Sequence, residues 1–269
     1  MKLRSELKFV GRPYGRLPML ILRPKDRNGS VPGILWIHGG GYTTGFASMA
    51  YLSCGAMLAK KYGAVVVSPE YRLAGEKVYP AALNDCYAAL VYLYHHAGEL
   101  GVDPDRIVIG GESAGGGLAA ALCILARDLG QIPVCFQLPL YPMLDCEDTP
   151  SSENNYGLIW DTWRNHRGWS KYLGQLYGTG HVPPYASAAR ETDYRGLPPA
   201  FTFVSEGEPF RDETLTFAAR LRAAGVPAEA RVYPGSTHAF DMLTPWRKES
   251  HEARAAVCAA YERFVLQWE

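Results

Sequence analysis

Residues 111–115 read GESAG, and they lie between a short apolar run and a long stretch rich in small residues. The apolar run, 106–109, has the composition of a buried strand, and residues 114–129 have that of a helix. A G-x-S-x-G turn between a strand and a helix exposes its serine hydroxyl for nucleophilic attack. A phosphate-binding loop is less favoured, because the glycines do not give G-x-G-x-x-G and no Lys-Ser or Lys-Thr follows. The pattern predicts an α/β fold with Ser113 as nucleophile.

A glycine triplet follows an earlier apolar run. Residues 38–42 read HGGGY and come directly after the strand-like run 33–37. Acyl transfer builds negative charge on a carbonyl oxygen, and each preorganised N–H donor stabilises that charge by about 2.7–4 kcal/mol. Read alone, the triplet would indicate a flexible loop. Together with the GESAG turn, it predicts an oxyanion hole formed by the N–H groups of Gly40, Gly41 and Ala114.

Length and composition limit the class of protein. With 269 residues, 48% of them hydrophobic, the chain is expected to form a single α/β domain over residues 1–269. Basic and acidic residues both number 27, which favours neither nucleic acid nor an acidic membrane surface as a partner. The N-terminus has no uninterrupted apolar segment, and no run of eighteen apolar residues occurs elsewhere. We therefore expect a cytoplasmic protein without stable membrane insertion.

The cysteines and histidines do not indicate a cofactor site. No C-x-x-C pair occurs, and no histidine has metal-ligand spacing to a partner, so no metal or cofactor is expected. The cysteines are expected to be buried, reduced and structural. They are Cys54, Cys86, Cys123, Cys135, Cys146 and Cys258.

Strand-like and helix-like segments alternate along the chain, which is typical of a mostly parallel sheet flanked by helices. The predicted strands are 17–22, 33–37, 64–68, 106–109, 134–138, 200–204 and 228–233. The predicted helices are 47–62, 80–100, 114–129, 212–224 and 248–268, the first four stopping at Gly63, Gly101, Gly130 and Gly225.

Residues 145–197 interrupt this alternation with a polar, loop-rich segment. A structureless loop of this length is unusual in a compact domain, so we expect an inserted cap over the strand ends. Its aromatic side chains could stack against a substrate or simply pack together. They are Tyr156, Trp160, Trp163, Trp169, Tyr172 and Tyr177.

The general base is expected to be His238. It lies in the segment 236–240, STHAF, between the last predicted strand and the last helix, where an α/β hydrolase carries its histidine. The other histidines outside the HGGGY loop are expected to be solvated or locally bonded. They are His95, His96, His166, His181 and His251.

The acid is expected on the loop 205–213, SEGEPFRDE, which follows the strand 200–204. Glu208 precedes a proline that fixes the backbone, and it is the preferred candidate. Asp212 is the main rival, although it could instead cap the helix that it opens. Glu206 could be a loop ligand, and Glu213 suits the positive end of that helix.

Taken together, these motifs resemble the hormone-sensitive lipase-like (family IV) carboxylesterases of the α/β-hydrolase fold, over roughly residues 31–246. The resemblance implies Ser113 as nucleophile and His238 as base, with the same three oxyanion donors. Glu208 stands where the family usually has Asp, and the extra methylene places its loop further from the histidine. The matching segments are HGGGY (38–42), YRLA (71–74), PAALND (80–85), GESAGGG (111–117), YPMLD (141–145), EPFRDE (208–213) and HAF (238–240).

The resemblance also implies a substrate class and an assembly. Family members often carry N-terminal cap helices, whereas the 37 residues before HGGGY mainly resemble strands. A cap made of 145–197 alone would give a wide pocket mouth, suited to short acyl esters with varied alcohols, including acetylated carbohydrates. A non-catalytic small-molecule-binding protein on this fold is the alternative, and its expected mark is a replaced histidine. Family members often dimerise through the edge strand, here 228–233.

Overall fold

Eight segments pair into one sheet in the computed structural model, which describes residues 1–12, 15–25 and 29–267. The strands are β1 (Leu3–Arg12), β2 (Gly15–Pro24), β3 (Val31–Ile37), β4 (Val65–Pro69), β5 (Val102–Glu112), β6 (Phe136–Leu140), β7 (Ala200–Ser205) and β8 (Ala228–Tyr233). Their spatial order is β1-β2-β4-β3-β5-β6-β7-β8. Strand β2 runs antiparallel to β1 and β4, and the other neighbouring pairs are parallel. The expected mostly parallel sheet is confirmed.

The central strands are buried almost throughout. Every residue of β4, β6 and β7 is buried, and so is nearly every residue of β3. Parallel strands covered by helices on both faces need such continuous apolar sequences. Strand β8 has the predicted bounds and lies at the sheet edge, with mostly half-buried and exposed residues. Its proposed role in dimerisation remains a prediction.

Helices join and cover the strands. They are α1 (Cys54–Tyr62), α2 (Ala81–His95), α3 (Ala97–Leu100), α4 (Ala114–Leu129), α5 (Thr162–Leu173), α6 (Arg211–Ala223), α7 (Phe240–Leu243) and α8 (Lys248–Tyr261). As predicted, Gly63, Gly101 and Gly130 end α1, α3 and α4 in the left-handed conformation. Gly225 also has a positive φ, one residue beyond the C-cap of α6.

Three predicted helices differ from the observed ones by more than one residue at an end. The segment 47–62 begins as a 3-10 turn, Ala47–Leu52, and α1 starts only after Ser53, whose hydroxyl caps it by accepting from Ala56 N–H. The segment 80–100 divides into α2 and α3 at His96. The last helix is α-helical to Tyr261 and continues as a π turn over Glu262–Leu266, while Trp268 lies outside the described residues.

Residues 145–197 lie between β6 and β7 and contain α5 together with two 3-10 turns, Gly174–Leu176 and Ala188–Arg190. Two of the aromatic side chains predicted for this segment, Trp169 and Tyr172, are buried and pack on Tyr42 from the HGGGY loop. For these two, the packing interpretation is correct.

The cysteines are free and, apart from the half-buried Cys146, buried. Burial raises the pKa of the Cys123 thiol above its ordinary range, so this side chain stays protonated and apolar. No helix in the described part of the chain is both long enough and apolar enough to span a membrane.

Candidate active site

Ser113 occupies a strained turn between β5 and α4. Its φ of 57° and ψ of −122° are rare for a residue with a Cβ, and such strain costs about 1–3 kcal/mol. The turn is held because Ser113 N–H donates to Leu140 O and Ser113 O accepts from Met143 N–H, both at 3.0 Å. Gly115 allows α4 to approach β3, since a Cβ there would lie 2.2 Å from Ile37 O. The sequence thus forces the serine to the carboxyl end of the sheet.

Ser113, His238 and Glu208 form a continuous chain of hydrogen bonds. Ser113 Oγ lies 2.9 Å from His238 Nε2, and His238 Nδ1 contacts the Glu208 carboxylate in a short hydrogen bond. The other carboxylate oxygen of Glu208 accepts from Ser205 N–H at 2.6 Å. All three side chains are buried, with relative exposures of 6%, 6% and 3%. The structure therefore brings together the three residues predicted as nucleophile, base and acid.

The loops that carry the acid and the base are tied to each other. Ser205 Oγ, at the end of β7, donates to Ser236 O at 2.5 Å, two residues before His238. Aromatic rings enclose the imidazole, with Tyr141 and Phe210 in edge-on contact at centroid distances of 5.1 and 5.2 Å. These contacts fix the orientation of the ring between the serine and the carboxylate.

Asp212 does not contact His238, and it does not cap α6. The helix begins one residue earlier, at Arg211, and the Asp212 carboxylate accepts from Arg211 Nε at 2.8 Å. The prediction of Asp212 as helix cap is therefore wrong. Ser151 performs that task from a distant part of the chain, because its hydroxyl accepts from Asp212 N–H at 3.0 Å and donates to Pro209 O at 2.7 Å.

The remaining carboxylates of this loop have other surroundings. Glu206 is exposed. Glu213 is buried rather than lying at an open helix end, and it accepts from Leu144 N–H at 2.6 Å, which holds the segment after β6. Burial raises the pKa of Glu213 well above its usual range. Neither side chain competes with Glu208 for the histidine.

The glycine triplet lies beside the nucleophile. A Cβ at Gly39 would be 3.2 Å from Ser113 Cβ, so the loop and the serine are in direct contact. Gly40 O accepts from the N–H groups of Thr43 and Thr44, both at 3.1 Å, which closes the loop into a tight turn. Within the described residues, the N–H groups of Gly40, Gly41 and Ala114 donate to no acceptor. Each is thus available to a bound oxyanion.

His38 and Tyr71 hold the backbone of this loop in place. Their rings stack at 4.2 Å, His38 Nδ1 donates to Gly39 O at 2.8 Å, and Tyr71 Oη donates to His38 O at 3.0 Å. Burial lowers the pKa of His38 from 6.5 to about 4, so the ring is neutral at neutral pH. The YRLA motif therefore contributes to the shape of the glycine loop.

Trp160 is the one of the six aromatic side chains predicted in 145–197 that contacts both the glycine loop and the ring of His238. A Cβ at Gly41 would lie 2.1 Å from Trp160 Cη2, so the indole packs directly on the glycine loop. Its ring centroid is 6.4 Å from that of His238 and 6.4 Å from that of Phe210. By contrast, Tyr156 and Trp163 are 91% and 65% exposed. The composition of 145–197 indicated aromatic residues, but not which of them approaches the histidine.

The other histidines lie elsewhere. His166, on α5, has its Nε2 atom 2.7 Å from the Asp148 carboxylate on the surface. Across residues 1–12, 15–25 and 29–267, no group of three or more His, Cys, Asp or Glu side chains is arranged to hold a metal ion.

Comparison with known proteins agrees with this geometry. Residues 34–242 match the family described as alpha/beta hydrolase fold. The carboxylesterase NlhH of Mycobacterium tuberculosis is 36% identical over 274 residues, covering 97% of this chain and 84% of its own length. The ethyl acetate hydrolase of Pseudomonas putida is 28% identical, covering 97% of this chain and 83% of its own length.

A solved structure described as a bacterial heroin esterase superposes with a TM-score of 0.91 at 38% identity, covering 98% of this chain and 84% of that one. Sequence, backbone and motif order therefore agree on one assignment. The chain belongs to the α/β hydrolase fold family, within its hormone-sensitive lipase-like carboxylesterases.

Proposed function

We propose that this protein hydrolyses short-chain carboxylic esters through an acyl-enzyme intermediate on Ser113. The observation that carries the proposal is the unbroken hydrogen-bond chain from Ser113 Oγ through His238 to Glu208. In this arrangement Nδ1 donates to the carboxylate, which leaves Nε2 free to accept the serine proton. A binding protein without catalysis would have no need for all three groups in this order.

The reaction proceeds in two halves. Ser113 Oγ attacks the ester carbonyl while His238 Nε2 takes its proton, and the tetrahedral intermediate collapses when the imidazolium protonates the departing alcohol oxygen. A water molecule then repeats the sequence on the acyl-serine, with His238 as base, and releases the carboxylic acid. Glu208 stays ionised and stabilises the imidazolium that forms in each half.

The oxyanion is the second requirement, and the free N–H groups of Gly40, Gly41 and Ala114 meet it in this proposal. All three lie on backbone already fixed by the glycine loop or by the start of α4, so little reorganisation accompanies charge development. We assign the three donors jointly because the glycine loop contacts Ser113 at Gly39 and Ala114 directly follows Ser113 in the chain.

We further propose that residues 1–269 act as one catalytic domain and that residues 145–197 form its cap. Trp160, from this segment, packs on Gly41 of the glycine loop and lies beside the His238 ring. A small acyl group is supported by one relative, which is named for ethyl acetate, whose acyl group is acetyl. Acetylated carbohydrates are a more specific version of the same substrate class.

An acyl-length series tests the proposal. Hydrolysis of p-nitrophenyl acetate, butyrate, octanoate and decanoate would be compared with release of acetate from acetylated sugars. We expect kcat/KM to be greatest for the short chains and to vanish in Ser113→Ala. Equal or greater activity on decanoate would overturn the short-chain assignment, and full activity in Ser113→Ala would overturn the mechanism. Acetate release from sugars would select the carbohydrate acetylesterase role.

A further inference from the structure

Trp160 contacts both the glycine loop, at Gly41, and the ring of His238. One edge of its indole, at Cη2 and Cζ2, lies against Gly41, so closely that a Cβ on Gly41 would be only 2.1 and 2.9 Å from these atoms. Its ring is also tilted beside those of His238 and Phe210, at centroid distances of 6.4 Å. The indole therefore connects the loop that faces the carbonyl oxygen with the ring that serves the departing group.

This position identifies which part of an ester Trp160 would contact. The carbonyl oxygen points to the N–H groups of the glycine loop, and the alcohol oxygen must lie near His238 Nε2 to receive its proton. The space between these two directions holds the alcohol portion of the ester. The acyl chain leaves the carbonyl carbon on the side away from the histidine, whereas Trp160 lies beside the histidine.

Packing holds the indole in this position. Its edge is enclosed by Gly41 and by Gly168 of α5, where a Cβ would lie 3.6 Å from Trp160 Cζ2 and 3.0 Å from Gly41 O. Two glycines therefore face the ring, one from the loop and one from the helix. A rigid aromatic wall of this kind discriminates by volume, since each extra methylene that it excludes changes kcat/KM by about 10- to 200-fold.

We propose that Trp160 is the residue that sets the size limit for the alcohol portion of the ester, and leaves acyl-chain preference to other residues. The inference rests on the proposed esterase function. It assigns a specificity-determining role to a side chain that neither supplies a proton nor donates to the oxyanion.

Two substrate series measured on Trp160→Ala test the proposal. One holds the acyl group as acetyl and varies the alcohol from ethyl to phenyl to 2-naphthyl, and the other holds p-nitrophenol and varies the acyl chain from acetyl to hexanoyl. We expect the 2-naphthyl to ethyl ratio of kcat/KM to rise by about tenfold. The hexanoyl to acetyl ratio should stay within about twofold of the wild-type value.

Trp163→Ala is the matched control. It removes an indole of the same size from the start of α5, where the ring is 65% exposed and lies under the Arg167 guanidinium. Both ratios should equal those of the wild type. Trp160→Phe preserves an aromatic ring and most of the packing, so it supplies the measurement if Trp160→Ala does not fold, with a smaller rise in the alcohol ratio.

The outcomes separate this inference from the proposed function. Unchanged alcohol ratios in folded Trp160 variants of an enzyme whose activity depends on Ser113 would overturn the role of Trp160 alone. So would a shift confined to the acyl series. A wild-type protein without Ser113-dependent hydrolysis in either series would overturn the proposed function and this inference with it.

Discussion

Replacing Glu208 with glutamine changes one buried oxygen into an NH₂ group and leaves the shape of the side chain intact. In the wild type, Oε1 accepts from Ser205 N–H at 2.6 Å and Oε2 accepts from His238 Nδ1. The amide can match only one of these donors. Its two orientations therefore have different consequences for the histidine.

The amide oxygen should face Ser205. The opposite orientation would point NH₂ at a buried N–H group and leave that donor unsatisfied, at a cost of about 1–3 kcal/mol. With the oxygen on Ser205, the NH₂ group donates to His238 Nδ1, which must then be unprotonated. The imidazole proton moves to Nε2, and Nε2 becomes a donor toward Ser113 Oγ instead of an acceptor.

The expected loss in kcat is up to about 10⁴-fold, which corresponds to about 5 kcal/mol of transition-state stabilisation. Thermal unfolding should change little, because no cavity forms and the hydrogen bond to Ser205 persists. Steady-state kinetics on p-nitrophenyl acetate and a thermal melt would be recorded on the same samples. The matched control is Asp212→Asn, whose carboxylate pairs with Arg211 at 2.8 Å and does not reach the histidine.

A kcat for Glu208→Gln within about threefold of the wild type would refute this reasoning, since the wrong tautomer cannot act as base. A large loss in Asp212→Asn with a normal Glu208→Gln would transfer the acid role to Asp212. If Glu208→Gln lost as much unfolding free energy as transition-state stabilisation, the amide would instead have disrupted the loop.

The first of four further predictions is that kcat/KM rises with pH as His238 loses its proton, so a flat profile on an alkali-stable ester would exclude it as base. Burial raises the pKa of Glu112, which favours the protonated acid in the folded state, so the stability of the wild type should decline as pH rises. Glu112→Gln keeps an acceptor for Trp36 Nε1 but has no titrating group, so its stability should decline less over the same pH range. Melting temperatures that fall in parallel with pH in the two proteins would contradict this. Ser151→Ala should lower the free energy of unfolding by about 0.5–2 kcal/mol, as measured by denaturant titration. An unchanged unfolding midpoint would contradict the role of Ser151 as the cap of α6. Pairing through β8 should give a homodimer in light scattering, and a monomer at all concentrations would argue against it.

Local signals accounted for much of the site. Ser113 was predictable because a glycine-flanked serine between a strand and a helix constrains the backbone within a few residues. Chain order indicated His238 and the loop that carries Glu208, since each comes after one of the last two strands, and the adjacent Pro209 favoured Glu208 over Asp212. Strand β8 was predicted with the observed bounds, whereas β6 begins two residues later than the predicted 134–138.

Long-range contacts explain what was not predictable. Asp212 has the local signature of a helix cap, but a hydroxyl 61 residues away, on Ser151, performs that task. Trp160 lies in an irregular turn before α5, so no periodicity indicates which way its ring points. The break at His96 within the segment 80–100 also has no glycine or proline to mark it. For Asp212 and Trp160 the deciding interaction is tertiary.

Covalent labelling of Ser113 tests the central claim most directly. A serine-directed organophosphate requires a nucleophilic hydroxyl activated by its base, and it reports the site by mass spectrometry without any assumption about the natural ester. We predict one equivalent of label on the peptide that contains Ser113, much slower labelling in His238→Ala, and none in Ser113→Ala. Label on another residue, or equal labelling rates in the wild type and in His238→Ala, would contradict the account.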